Sequence, residues 1–200
     1  MNRKSATLLA VLMLSCFPDI AGAHLVTTGL GPFYDGAVHL LLSPNDLLGL
    51  LAAAMLAGLQ GAKTARMVVI VLPSTWLTAG LISLNISSSI DLHWLSVLSF
   101  MILGVLVAVN LKLPSVVVVM LAGLFGILHG LLNGSALAAI GAGPRTIIGI
   151  VLMVLVSGLL ISAFTVSLKA AWARIAVRVA GSWVAAVGML MLGWLMRKPA

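Results

Sequence analysis

Six long apolar runs joined by short polar connections govern what this chain can become. They fall at roughly 38–59, 67–84, 93–110, 115–133, 146–168 and 176–196. Each is close to the ~20 residues that a helix needs to cross ~30 Å of hydrocarbon. In lipid every backbone N–H and C=O must be satisfied within the protein, which restricts spanning segments to helices and closed barrels. Barrel strands are shorter and alternate in polarity, and these runs do neither. The predicted fold is therefore all-α, a polytopic membrane helix bundle of about six spans. Composition agrees: 62% of the residues are hydrophobic and 8% charged, with a mean hydropathy of +1.25. A soluble domain has about half apolar and a quarter charged residues. This chain has too few charges to clothe a globule in water.

The first 23 residues have the layout of a secretory signal peptide. Arg3 and Lys4 form a basic start, Thr7 to Phe17 an apolar stretch too short to span, and Ala21-Gly22-Ala23 a small-residue cleavage pattern. Cleavage there leaves His24 as the new N-terminus and 24–200 as the transmembrane domain. The single cysteine, Cys16, lies inside this segment, so the mature chain can form no disulfide. A lipidated Cys16 is the alternative, and Leu14 and Ser15 fit a lipidation box poorly.

With His24 outside, the connections at 60–66, 111–114 and 169–175 face the cytoplasm. Lys63, Arg66, Lys112, Lys169 and Arg174 fall there, with Arg178 just inside the following span. The outer side carries Arg145, and Arg197 and Lys198 at the C-terminus. The bias follows the positive-inside rule and predicts an inner-membrane chain with a periplasmic N-terminus. It also explains the net charge of +7 without nucleic acid, because the basic residues stand singly or in small groups between apolar runs.

That topology gathers the polar residues at one face. His24, Asp35 and His39 precede or open the first span, and Asp46 lies about two turns inside it. Asp91 and His93 occupy the outer loop before the third span, where Asp91 can cap the helix. His129 and Asn133 arrive at the outer end of the fourth. Asp35, His39 and Asp46 would share one face of a continuous helix, but Pro44 interrupts it. Broken helices with polar residues are a usual way to build a solute site in lipid, and a carboxylate such as Asp46 is costly there unless paired or wet. Gly126, Gly130 and Gly134 form a ridge that admits a close neighbour, and His129 and Asn133 make a polar stripe beside it. Imidazole and carboxylate together suit a borderline divalent cation such as nickel, cobalt or zinc. An isolated intramembrane His is otherwise a hydrogen-bonding partner for a neighbouring helix.

At these residues the chain resembles the HupE/UreJ family of bacterial membrane proteins. That family has a first-span motif of the form H-P-x-x-G-x-D-H and a fourth-span motif resembling F-H-G-x-A-H-G-x-E. Here the first reads His39-Leu40-Leu41-Leu42-Ser43-Pro44-Asn45-Asp46-Leu47, with one extra residue between His and Asp and Leu47 in place of the second His. The second reads Leu128-His129-Gly130-Leu131-Leu132-Asn133-Gly134-Ser135-Ala136, with Asn133 for the second His and Ala136 for the Glu. The resemblance covers the whole chain and implies a nickel or cobalt permease. His24 and Asp35 would then capture the cation at the mouth, and His39, Asp46 and His129 would hold it in the membrane with Asn133 in support.

The expected partners are the lipid bilayer and a divalent metal ion as transported substrate, with no resident cofactor and no catalytic residue. A second copy of the chain or a metalloenzyme-assembly partner is compatible with the same sequence. One rival reading is accordingly a non-transporting scaffold or assembly factor for a metalloenzyme. The other is a six-span serine protease, which would need a nucleophile and base pair. No G-x-S-G motif occurs, and Gly181-Ser182 has no His after it. No G-x-x-x-x-G-K-[ST] loop for ATP is present either.

Overall fold

Proline marks where three of the helices begin. The computed structural model describes residues 27–85 and 92–197. The expected signal peptide, His24 and Asp91 lie outside those residues. Among the described residues seven helices follow in order: α1 Pro32–Leu42, α2 Pro44–Leu59, α3 Ala62–Ser83, α4 His93–Val109, α5 Ser115–Ala139, α6 Pro144–Ser167 and α7 Ala171–Leu195. Pro32, Pro44 and Pro144 each open a helix, where the missing N–H costs nothing and the fixed φ is already helical. Asn110 ends α4 in the left-handed conformation, with φ 55°, a common helix ending that asparagine tolerates.

The expected first span is two helices. α1 and α2 meet at an angle of 74° across Ser43, whose extended backbone (φ −95°, ψ 98°) is what a residue before proline prefers. Among the described residues four helices, α3, α5, α6 and α7, are long and apolar enough to cross a membrane, and the bent α1–α2 pair makes a fifth if counted as one broken span. α4, of 17 residues, is shorter. α5 runs on to Ala139, so Asn133 stands within that helix and not at its end.

Small residues decide which helices lie against each other. α2 contacts all six of the others, and its run Ala52-Ala53-Ala54-Met55-Leu56-Ala57-Gly58 is buried. α3 packs on α5 along the predicted ridge. A Cβ on Gly130 would lie 2.5 Å from the Trp76 carbonyl oxygen, and one on Gly126 or Gly134 would collide with Thr75 or with the Gly80 carbonyl. α1 crosses α6 at a reciprocal pair: Gly36 sits on the Thr146 carbonyl and Gly149 on the Phe33 carbonyl. α4 crosses α7 where Gly104 faces Gly181 and Ala185. Such close approach is how helices associate when lipid is as apolar as their own side chains.

The distribution of polarity suits the bilayer as solvent. Asp35, Asp46, His129, Asn133 and Thr146 are buried, while Ile70, Leu124, Phe164, Trp183 and Leu190 are exposed. At one end of the bundle the Gln60 side chain bridges the Leu111 carbonyl (2.7 Å) and the Leu113 N–H (3.2 Å). Thr64 and Ser115 hydroxyls meet beside it at 2.7 Å. Two connections expected to share a membrane face are thus tied together.

Candidate functional site

The break between α1 and α2 opens a polar seam in an apolar bundle. His39 occupies the last turn of α1 and Asp46 the first turn of α2. A carboxylate in the first turn is stabilised by the positive end of the helix dipole. α5 supplies His129 and Asn133, one turn apart and therefore on one face. Asn133 and His129 are 7% and 0% exposed, and Asp46 is 6% exposed. Charge and imidazole at such depth need partners.

They find them in each other. His129 Nδ1 lies 2.5 Å from Asp46 Oδ1, a charge-assisted contact. Asn133 Nδ2 donates to the second carboxylate oxygen, Oδ2, at 3.0 Å. Turned that way, the amide presents Oδ1 to His39 Nε2 at 3.2 Å. Ser43, in the break itself, brings its hydroxyl to 3.2 Å from the same nitrogen. On the far side of His129, Ser99 Oγ donates to the Ser96 carbonyl at 2.7 Å and faces Nε2 at 3.1 Å. One chain of contacts thus runs from Ser43 through His39, Asn133, Asp46 and His129 to Ser99.

Aromatic rings hold the imidazole in place. Phe125, one turn before His129, stacks on it with centroids 4.0 Å apart. Trp76 of α3 leans against it at 5.5 Å and meets Phe125 edge-on at 5.8 Å. Gly49 makes room for this stack, since a Cβ there would overlap the Phe125 ring. Trp76 Nε1 and Asn45 Oδ1 are buried with no hydrogen-bond partner.

Of the residues expected at a metal site, His39, Asp46, His129 and Asn133 are brought together. Asp35 is buried elsewhere: its Oδ1 accepts from the Thr28 N–H at 2.6 Å and the Thr28 hydroxyl at 2.7 Å. It thereby fastens the segment before α1 to that helix. Among the described residues no group of three or more His, Cys, Asp or Glu is placed to hold a metal ion. Ser43, Ser99, Phe125 and Trp76 were not expected. Ser96 and Ser99, three apart in the apolar stretch that follows His93, were the signal for the α4 contribution, and Phe125, four before His129, was the signal for the stack.

Among curated proteins and among solved structures, nothing matches this chain. The family described as HupE / UreJ protein does match, over residues 11–191. That match takes in α1 to α6 and nearly all of α7, including every residue of the polar chain. The protein is a member of the HupE / UreJ family, and a multi-pass membrane protein.

Proposed function

We propose that the protein is a permease for a divalent transition-metal cation, nickel or cobalt. In this reading it sits in a bacterial inner membrane with six spans, the bent α1–α2 pair and α4 included, and a periplasmic N-terminus behind a cleaved signal peptide. The observation that carries it is the convergence of His39, Asn133, Asp46 and His129 at a helix break in a member of this family. Intramembrane ionisable residues that face the bundle interior mark solute paths in many transporters. The cation would enter from the end where α1 meets α2 and α5.

Metal accumulation in cells expressing the protein tests the reading. Expression is expected to raise nickel or cobalt uptake, and Asp46→Asn and His129→Ala to return it to background. Equal accumulation with wild type, variants and empty vector would sink it.

One observation favours an accessory role. Among the described residues no three His, Cys, Asp or Glu side chains gather as a metal site, which suits a membrane scaffold for metalloenzyme assembly. A stable partner co-purifying with the protein, with site variants acting only through stability, is the outcome that reading requires.

A further inference from the structure

The polar chain divides into two halves of different geometry, and only one has room for an ion. A first-row divalent cation sits about 2.1 Å from nitrogen and oxygen ligands. Two ligands on the same ion are then about 3.0 Å apart in octahedral and about 3.4 Å in tetrahedral coordination, at the bond length just given. His129 Nδ1 and Asp46 Oδ1 are 2.5 Å apart, too close to share an ion. The other Asp46 oxygen faces an N–H of Asn133, and a donor there repels a cation. The inner pair is shut.

The outer half has the spacing that the inner half lacks. His39 Nε2 stands 3.2 Å from Asn133 Oδ1 and 3.2 Å from Ser43 Oγ. Both separations fall between the octahedral and tetrahedral edges. Each atom has a lone pair available once the imidazole carries its hydrogen on Nδ1. His39 and Ser43 are only half-buried, which leaves this cluster approachable where the inner one is not.

We infer that the ion-contacting site of this protein is His39, Ser43 and Asn133 at the helix break, with Asp46 and His129 as the buried support that orients it. The inference rests on the permease reading and refines it. Asp46 holds the Asn133 amide so that its oxygen, and not its nitrogen, faces the ion. His129 holds Asp46 and is itself held by Ser99 and the aromatic stack. Outer groups of this kind orient ligands in metal sites generally. One imidazole and two neutral oxygens suit a partly hydrated first-row divalent cation, with water filling the remaining positions. Ser43 then becomes a ligand from the break itself, supplied by the residue that lets α1 and α2 diverge.

Cobalt(II) and two cysteine substitutions separate the halves. Purified full-length protein in a Cys16→Ser background has no other thiol. Ser43→Cys titrated with Co²⁺ is expected to develop a sulfur-to-cobalt charge-transfer band, and Ser99→Cys, beside the inner His129, none. Ser43→Ala is expected to weaken Co²⁺ binding by at least about tenfold, and Ser167→Ala, which removes an exposed hydroxyl bonded to the Phe164 carbonyl outside the polar chain, to leave it unchanged. A band with Ser99→Cys, or none with Ser43→Cys although the wild type binds Co²⁺, overturns the division of the site and leaves the permease reading standing. Absence of Co²⁺ binding in wild type and all variants overturns both.

Discussion

Asp46 shows how much one buried side chain can organise. It receives His129 on one oxygen and Asn133 on the other, so its removal strands two polar groups in an apolar interior. Breaking a buried pair by deleting one partner typically costs about 3–5 kcal/mol. Asp46→Ala is therefore expected to lower stability by roughly 3 kcal/mol, read from unfolding in detergent. Asp46→Asn, which keeps an acceptor for His129, should cost clearly less. Equal losses for the two variants would mean that the hydrogen bonds to Asp46 do not carry its contribution. Gly49 acts at the same scale without any polar atom. Gly49→Ala would push a methyl group into the Phe125 ring, which has Trp76 and His129 against it. Overpacking of this sort costs about 1–3 kcal/mol, and uptake should fall with it because the His129 ring loses its stacking partner.

At the scale of elements, glycine crossings decide which helix brings which residue to the site. The α3–α5 ridge was readable as three glycines at spacing four. The α1–α6 crossing was not, because Gly36 and Gly149 lie on different helices and neither belongs to a periodic motif. Yet that crossing sets where the last turn of α1 delivers His39. Gly36→Ala would drive a methyl group into the Thr146 backbone, and backbone cannot swing away as a side chain can. The expected result is a loss of about 1–3 kcal/mol together with impaired metal uptake, whereas Gly143→Ala, which meets nothing within 4 Å, should leave both unchanged. Pro44 was legible as a break. The 74° turn was not, since proline at a first helical position is equally content with a straight approach from a nearby helix or a sharp one.

For the whole molecule, the pattern of charges and the pairing of loops make a claim about orientation that can be measured. Lys112 lies in the connection tied to Gln60, and Arg145 at the start of α6 lies at the opposite ends of the helices. Arg145→Cys should react with a membrane-impermeant thiol reagent on intact cells, and Lys112→Cys only after the inner membrane is opened. The reverse order would turn the protein over and place the site on the cytoplasmic side.

Hydropathy and run length by themselves determined that this is a helical membrane protein, because backbone satisfaction in lipid is a local requirement that every span must meet within itself. They also marked His39, Asp46, His129 and Asn133 as residues needing an explanation, since polar groups in apolar runs are costly wherever the run ends up. Tertiary structure decided who answers that need. Asp46 meets His129 across 83 residues and His39 meets Asn133 across 94, contacts that depend on helix crossings and on an angle at Ser43 that no local pattern encodes. Asp35, equally conspicuous in the sequence, turns instead to Thr28 only seven residues away. Burial settled the difference: a side chain takes whichever partner the packing puts within hydrogen-bond reach, and in this bundle the packing is set by glycines whose counterparts lie on other helices.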